Sequence, residues 1–247
     1  MNDALLYESR ERIATITINR PESLNAINAD VESGLAAAWR RLNESDDLVA
    51  ILTGSGDKAF SVGKDLNYDA TPDYRRFTPG FDIVVRKPII AAVGGWCVGG
   101  ALTLVQMCDL CVASENARFS YPEAKLGFAG GLIASLVARM PHKVAMELIL
   151  LGDEMSAERA YQVGFVNKIV PKGGHLEAAQ AYARRLAQNA PMVLAMLKDF
   201  AAQVLPRGPM EQASHAMREV EAVMRSADRA EGMDSYLNKR APDYRGR

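Results

Sequence analysis

The sequence predicts an α/β protein built on a mainly parallel β-sheet, with a helical region towards the C-terminus. The first half of the chain alternates short apolar runs with a helical pattern, as strands joined by helices do. The apolar runs contain few polar positions, which is typical of parallel strands buried on both faces. From about Ala157 onward, the spacing of apolar residues predicts helices throughout.

The first half of the chain supplies the predicted strands and two helices. Residues 5–8 and 13–19 predict paired strands, the second with apolar residues at alternate positions. Asn28 is a candidate N-cap for a helix that runs to about Asn43 and keeps its apolar residues on one face. Further buried strands are predicted at 49–53, 89–93 and 110–113, with a short buried helix at 101–107.

The remaining segments are predicted as loops and C-terminal helices. Residues 60–66 form a loop, and residues 72–79, which are polar, aromatic and interrupted by proline, form a mobile wall or lid. The C-terminal helices are predicted at 176–186, 192–204, 210–225 and 229–237. We therefore divide the chain into a core over residues 1–190 and a helical region over residues 191–247.

Composition excludes several classes of protein. The 247 residues include 29 basic and 30 acidic side chains, a formal net charge of −1. That balance gives no positive field for a phosphate backbone, so no nucleic-acid partner is expected. With three cysteines and no secretory signal, a cytoplasmic location is expected. Glycines interrupt the uncharged stretch 88–108, which therefore predicts a strand, a turn and a helix, with no membrane partner.

The histidines and cysteines predict neither metal binding nor redox chemistry. His142, His175 and His215 are far apart in sequence and match no ligand spacing, so no metal site is expected. Cys108 and Cys111 have CxxC spacing, but they span a predicted helix end and a buried strand. That position lacks the exposed helix start that lowers the pKa of a redox thiol.

Two glycine-rich turns follow neighbouring predicted strands. One covers residues 54–66, and the other covers residues 94–100 and opens directly into the short helix. A helix N-terminus leaves backbone N–H groups unpaired, and glycine lets a ligand oxygen approach them closely. Two such turns can direct two N–H groups at one oxygen, which is an oxyanion hole. Spacing alone, however, favours two tight turns without that function.

Six motifs occur in order along the chain, at residues 18–26, 59–66, 87–100, 107–109, 119–127 and 151–157. Together they resemble the crotonase (enoyl-CoA hydratase/isomerase) superfamily. The resemblance implies a spiral of ββα units that forms a homotrimer or a dimer of trimers, with C-terminal helices packing on the core or a neighbouring subunit. It also implies an acyl-CoA thioester substrate. No metal, flavin or nicotinamide cofactor is expected, because the thioester already acidifies the α-carbon.

The resemblance assigns candidate roles by position. The backbone N–H groups of Lys64 and Gly100 would form an oxyanion hole for the thioester carbonyl, and Glu123, after Pro122, would move the proton. The candidate residues for binding coenzyme A are Leu24, Ala26, Gly63, Asp65, Leu66 and Lys239. The candidate walls of the acyl pocket are Trp96, Phe128, Gly131 and Leu132.

Thr103 departs from the pattern of the family's hydratases, which carry a second glutamate at this position. A threonine hydroxyl stays protonated near neutrality and cannot act as a general base. One carboxylate must then carry the proton transfers, with Thr103 orienting a water or a substrate hydroxyl. Residues 127–139 add no acid, which suits an apolar or aromatic acyl group.

Three functions remain open on this pattern. The first is a hydratase-type lyase that adds or removes water on an α,β-unsaturated acyl-CoA, with or without retro-aldol cleavage. The second is a Δ3–Δ2-enoyl-CoA isomerase, because a 1,3-proton shift needs only one base. The third is an acyl-CoA-binding relative without catalytic activity.

Overall fold

The computed structural model describes residues 3–128 and 130–247, which form two β-sheets surrounded by helices. The strands are β1 (Leu5–Arg10), β2 (Ile13–Ile18), β3 (Val49–Gly54), β4 (Ala59–Ser61), β5 (Ile89–Val93), β6 (Trp96–Val98), β7 (Leu110–Ser114), β8 (Arg118–Ser120), β9 (Met155–Ser156) and β10 (Lys168–Val170). The α-helices are α1 (Ala29–Glu44), α2 (Gly100–Gln106), α3 (Glu123–Leu126), α4 (His142–Leu151), α5 (Ala157–Gln162), α6 (His175–Ala187), α7 (Pro191–Val204), α8 (Pro209–Met224) and α9 (Ala227–Leu237). The 3₁₀ segments are Pro21–Ser23, Tyr74–Arg76 and Gly131–Ala138.

The larger sheet has the strand order β1-β2-β3-β5-β7-β10. Only β1, which pairs with β2, is antiparallel to its neighbour, so the predicted mainly parallel sheet is confirmed. The prediction of helix throughout the chain from Ala157 is wrong at β10, which pairs with β7. A strand of three residues is too short to show the alternation of apolar and polar residues that marks a strand in a sequence. Strand β10 is therefore recognisable only from its hydrogen bonds to β7.

The smaller sheet has the order β4-β6-β8-β9. Each of β4, β6 and β8 follows a strand of the larger sheet directly along the chain, so the chain alternates between the two sheets. Helix α2 follows one such pair and α3 the next, which confirms the predicted spiral of ββα units. The predicted single turn at 94–100 is wrong, because it contains β6, paired with β4 and β8.

Helices cover both faces of the larger sheet. On β5, Ala91 and Val93 belong to the core that contains Trp39 of α1, whereas Ile90 and Ala92 belong to the core against α6. Successive residues of a strand point to opposite faces, so a strand buried on both faces needs apolar residues at every position. The predicted N-cap of α1 is also confirmed, because the Asn28 side chain accepts a hydrogen bond from the Val31 N–H.

The C-terminal helices contact the core through polar side chains. Lys198 of α7 forms an ion pair with Asp109 at 2.7 Å. Glu211 of α8 is buried and accepts hydrogen bonds from Ser135 and Arg139. Among the described residues, no helix has the length and apolar character needed to cross a membrane.

Asn25 fastens the loop after β2 to the end of β3 and to β4. Its side chain is fully buried; its Nδ2 donates to the carbonyls of Ser55 (2.9 Å) and Ala59 (2.8 Å), and its Oδ1 accepts from the Arg20 N–H (2.9 Å). These bonds hold together the backbone on which two of the site loops are built.

We expect Asn25→Ala to lower the free energy of unfolding by more than about 2 kcal/mol, because each buried polar group left without a partner costs about 1–3 kcal/mol. Urea unfolding followed by circular dichroism measures the change. Asn189→Ala, at an exposed position after α6, is the matched control. Equal unfolding midpoints for the two variants would show that the Asn25 hydrogen bonds contribute little.

Candidate active site

The loop over residues 63–65, which follows β4, meets the start of α2, which follows β6. The two strands β4 and β6 are paired, so these segments lie at neighbouring strand ends. A Cβ atom added to Gly63 would lie 2.6 Å from the Val98 carbonyl oxygen and 3.1 Å from the Gly100 nitrogen. Gly63 also has φ +78°, a conformation that L-residues with side chains rarely adopt. Glycine at this position therefore allows the 63–65 loop and the start of α2 to touch.

Both candidate oxyanion donors lie at this contact. The parallel bridge between Ile27 and Lys64 uses the carbonyl of Gly63 and the N–H of Asp65, so the Lys64 N–H points away from Ile27. Gly100 is the first residue of α2, where an N–H has no intrahelical acceptor. Neither N–H donates a hydrogen bond within residues 3–128 and 130–247.

Glu123 places its carboxyl group against the same turn. It is the first residue of α3, and a Cβ atom added to Gly99 would lie 2.6 Å from its Oε1. Its Oε2 is buried without a hydrogen-bond partner in the part of the chain that the structure describes. Burial raises the pKa of Glu123 to about 7. A carboxyl group with that pKa can both accept and release a proton near neutrality.

Tyr74, which the sequence analysis did not single out, lies directly on Gly100. A Cβ atom added to Gly100 would lie 2.1 Å from the phenol oxygen of Tyr74, so only glycine leaves room for that ring. The hydroxyl is buried and has no hydrogen-bond partner among the described residues. Burial, together with the nearby Glu123 carboxylate, raises the pKa of Tyr74 well above its usual value. The available sequence signal was an aromatic residue in the predicted lid.

The segment predicted as a wall or lid is anchored beyond Tyr74. Phe77 and Thr78 are fully buried, and the Phe77 carbonyl accepts a hydrogen bond from Trp39 Nε1 at 2.8 Å. The Thr78 N–H donates to the Tyr74 carbonyl. These contacts fix the backbone from which the Tyr74 phenol reaches Gly100.

Thr103 lies on α2 one turn beyond Gly100. Residues three and four apart occupy one face of a helix, so Thr103 shares a face with Gly100 and with Gly99 at the N-cap. Its side chain is buried. The structure therefore brings Thr103 towards the same turn that Glu123 and Tyr74 contact.

Most of the predicted coenzyme A residues are brought together by two paired loops. The Leu24 carbonyl accepts from the Val62 N–H (3.2 Å), and the Asp65 N–H donates to the Ile27 carbonyl (3.0 Å). Arg20, which sequence reasoning passed over, braces both loops. It forms an ion pair with Asp65 at 2.8 Å and donates to the Ala26 carbonyl, and its hydrogen bond lowers the pKa of Asp65.

Two further predicted coenzyme A residues lie outside the hydrogen bonds that pair these loops. Leu66 lies at the end of the 63–65 loop with 70% of its surface exposed. Lys239 follows α9 with φ +52°, and its N–H donates to the Tyr236 carbonyl. No hydrogen bond or ion pair among the described residues joins Lys239 to the loops around Leu24 and Asp65.

The predicted pocket residues divide into two groups. The Phe128 N–H donates to the Glu123 carbonyl, and the Phe128 ring lies 5.6 Å from Lys64 Nζ, so Phe128 joins the two parts of the site. The Leu132 carbonyl accepts from Gln106 at the end of α2. By contrast, Gly131 faces Met210 of α8, and Trp96 lies on β6 with about a third of its surface exposed.

This arrangement supports two chemical operations. The Lys64 and Gly100 N–H groups can stabilise negative charge on one oxygen, and Glu123 can move one proton beside it. No three histidine, cysteine or acidic side chains converge as metal ligands would in residues 3–128 and 130–247.

Comparison with known proteins finds similarity along the whole chain. The sequence profile of the enoyl-CoA hydratase/isomerase family matches residues 8–247. The chain is 34% identical over 254 residues to (E)-benzylidenesuccinyl-CoA hydratase of Thauera aromatica, covering 97% of this chain and 98% of that protein. It is 35% identical over 266 residues to carnitinyl-CoA dehydratase of Salmonella typhi, covering 100% of both.

Solved structures are similar over the same length. The crystal structure of carnitinyl-CoA hydratase from Mycobacterium avium is 32% identical with a TM-score of 0.77. That of enoyl-CoA hydratase from Mycobacterium tuberculosis is 36% identical, also with a TM-score of 0.77. Each alignment covers 100% of both chains.

Proposed function

The chain belongs to the enoyl-CoA hydratase/isomerase family, and on that premise we propose that Glu123 is the catalytic acid–base of a hydratase-type lyase. The chain is an enzyme of this family that adds or removes water on an α,β-unsaturated acyl-CoA. The observation that supports the assignment of Glu123 is the contact of its carboxyl group with Gly99, beside the Lys64 and Gly100 N–H groups.

In the proposed hydration, the thioester carbonyl accepts hydrogen bonds from the N–H groups of Lys64 and Gly100. A water oxygen bonds to the β-carbon while one of its protons passes to the Glu123 carboxylate. The electron pair of the double bond moves to the thioester oxygen as an enolate, which the two N–H groups stabilise. Glu123 then returns the proton to the α-carbon, and Thr103 helps to orient the water. This sequence uses no metal, flavin or nicotinamide.

Isotope uptake tests the proposed reaction. Crotonyl-CoA, cinnamoyl-CoA and a 3-enoyl-CoA are incubated with the enzyme in heavy-oxygen water and, separately, in deuterium oxide. Heavy oxygen in the product is expected and supports hydration. Deuterium without heavy oxygen would instead support the isomerase, which one base such as Glu123 can also serve. Binding of the thioesters without either label would support a non-catalytic relative.

We expect kcat/KM for hydration to rise with pH through an apparent pKa near 7. The raised pKa of Glu123 means that its carboxyl group is protonated below about pH 7, and the base form needed in the free enzyme predominates above it. Initial rates between pH 5.5 and 8.5 measure the profile. An N-acetylcysteamine thioester, which carries no phosphate, is the matched control substrate. A flat profile with both substrates would contradict the role of Glu123.

We propose an apolar or aromatic acyl group as the preferred substrate. Phe128 is the predicted wall residue that contacts Glu123 and Lys64, and residues 127–139 contain no carboxylate. The coenzyme A portion would lie along the paired loops at Leu24, Ala26, Gly63, Asp65 and Leu66, with Lys239 meeting a phosphate. A screen of CoA thioesters by mass spectrometry tests both assignments.

We propose that the C-terminal helices assemble the chain into a homotrimer or a dimer of trimers. Helices α7–α9 carry large exposed apolar side chains, including Met192, Phe200, Val204, Val223, Met233 and Leu237. Large exposed apolar side chains in such numbers are a feature of protein–protein interfaces. Native mass spectrometry tests the subunit number. The three free cysteines are consistent with a cytoplasmic location, which we also propose.

A further inference from the structure

The Tyr74 phenol is an unassigned polar group inside the candidate active site. Its ring end packs on Gly100, and its hydroxyl is shielded from solvent with no hydrogen-bond partner in residues 3–128 and 130–247. Glu123 Oε2 is buried and unpartnered in the same way. A buried donor and a buried acceptor each without a partner destabilise the fold, so the pair requires a functional explanation.

The Tyr74 phenol approaches Gly100 from a different direction than a carbonyl oxygen bound by the oxyanion N–H groups would. It occupies the Cβ direction of Gly100, which diverges from the direction of the Gly100 N–H bond. The hydroxyl therefore lies beside the oxygen that the N–H groups bind, not in line with them. Glu123 contacts the neighbouring Gly99. A donor that packs on Gly100, next to the Gly99 that Glu123 contacts, is suited to the oxygen on the substrate's β-carbon.

The protonation of the phenol restricts what it can do. Because burial and the Glu123 carboxylate raise the pKa of Tyr74, the phenol keeps its proton at working pH. It can therefore donate a hydrogen bond, while proton transfer remains with Glu123. Thr103 supplies no carboxylate at the position where other family hydratases have one, and Tyr74 reaches the same turn from a different element.

We propose that Tyr74 is a further catalytic residue, whose hydroxyl donates a hydrogen bond to the oxygen that joins or leaves the substrate's β-carbon. In hydration it fixes the water whose proton passes to Glu123. In the reverse direction it binds the departing hydroxyl while Glu123 delivers to it the proton taken from the α-carbon. Tyr74 itself neither gains nor loses a proton. This inference rests on the proposed hydratase function.

Tyr74→Phe tests the role because it removes only the hydroxyl and keeps the ring that packs on Gly100 and Phe77. Two rates are compared: hydration of crotonyl-CoA, and exchange of the α-protons of butyryl-CoA in deuterium oxide. Exchange needs Glu123 and the oxyanion hole but no β-oxygen. We expect hydration to fall about 10- to 100-fold, as for the loss of one hydrogen bond to a reacting group. Exchange should stay within about threefold.

The controls separate this role from a structural one. Tyr161→Phe, on the exposed side of α5, should change neither rate and should unfold at the wild-type temperature. Tyr74→Phe should unfold at that temperature or above it, because it removes a buried hydroxyl that has no hydrogen-bond partner among the described residues. An equal fall in hydration and exchange would overturn the proposal in favour of a third donor to the enolate oxygen. Unchanged hydration in Tyr74→Phe, with a fall in Thr103→Val, would overturn it in favour of Thr103. Wild-type exchange without hydration would overturn the hydratase function and this inference with it.

Discussion

Glu123→Gln is expected to lower kcat for hydration by about 10³-fold, within the 10²–10⁴-fold that a positioned general acid–base typically contributes. Glutamine has the shape of glutamic acid but cannot accept the α-proton or the water proton. The site contains one such carboxyl group against Gly99, and Thr103 cannot replace it. Steady-state kinetics with crotonyl-CoA or the best thioester of the screen measures the loss.

Binding should change much less than turnover in this variant. Because burial raises the pKa of Glu123 to about 7, much of the native side chain is already neutral near pH 7, as glutamine is. Acyl-CoA affinity, measured by isothermal titration calorimetry, should therefore stay within a few-fold. Glu158→Gln, in the first turn of α5, is the matched control and should keep full activity. Full turnover by Glu123→Gln would remove the proposed mechanism and leave the fold untouched.

Stability gives an independent check on the environment of Glu123. Its folded-state pKa lies above the unfolded value near 4.5, so the native state holds the proton more tightly and loses stability as pH rises from about 4.5 to 7. Glutamine has no such dependence. The thermal midpoint of Glu123→Gln should exceed that of the wild type at pH 8, and the two should converge at pH 4.

Gly63→Ala is expected to lower kcat/KM by about 10²- to 10³-fold, the cost of losing one preorganised oxyanion donor. The added methyl group would lie 2.6 Å from the Val98 carbonyl oxygen and 3.1 Å from the Gly100 nitrogen. The two loops must separate to admit it, and the Lys64 and Gly100 N–H groups then no longer converge on one oxygen.

Gly164→Ala distinguishes this effect from backbone strain. Gly164 has φ +80°, close to the +78° of Gly63, but an added Cβ there meets nothing within 4 Å. Both variants should lose stability of order 1 kcal/mol for placing alanine in the left-handed region, and Gly63→Ala should lose more because its methyl group also meets the Val98 carbonyl oxygen. Only Gly63→Ala should lose activity. If both variants keep wild-type rates, the oxyanion hole lies elsewhere.

The sequence singled out one part of the proposed catalytic site and passed over another part. Glu123, Lys64 and Gly100 were recognisable because each lies in a motif with a fixed chain position. Tyr74 was not recognisable, because a tyrosine in a proline-interrupted loop carries no periodicity and no spacing to a partner. Arg20 was likewise passed over, although it links both loops of the proposed coenzyme A site through Asp65 and the Ala26 carbonyl.

The sequence by itself determined the parallel sheet, helix α1 with its Asn28 cap and the family to which the chain belongs. These features depend on local periodicity and on ordered motifs, which a linear chain displays directly. Only the tertiary structure decided that three-residue strands such as β6 and β10 exist, since their hydrogen bonds come from distant segments. It alone brought Tyr74 onto Gly100, 26 positions along the chain, because close contact between loops follows from packing rather than from spacing.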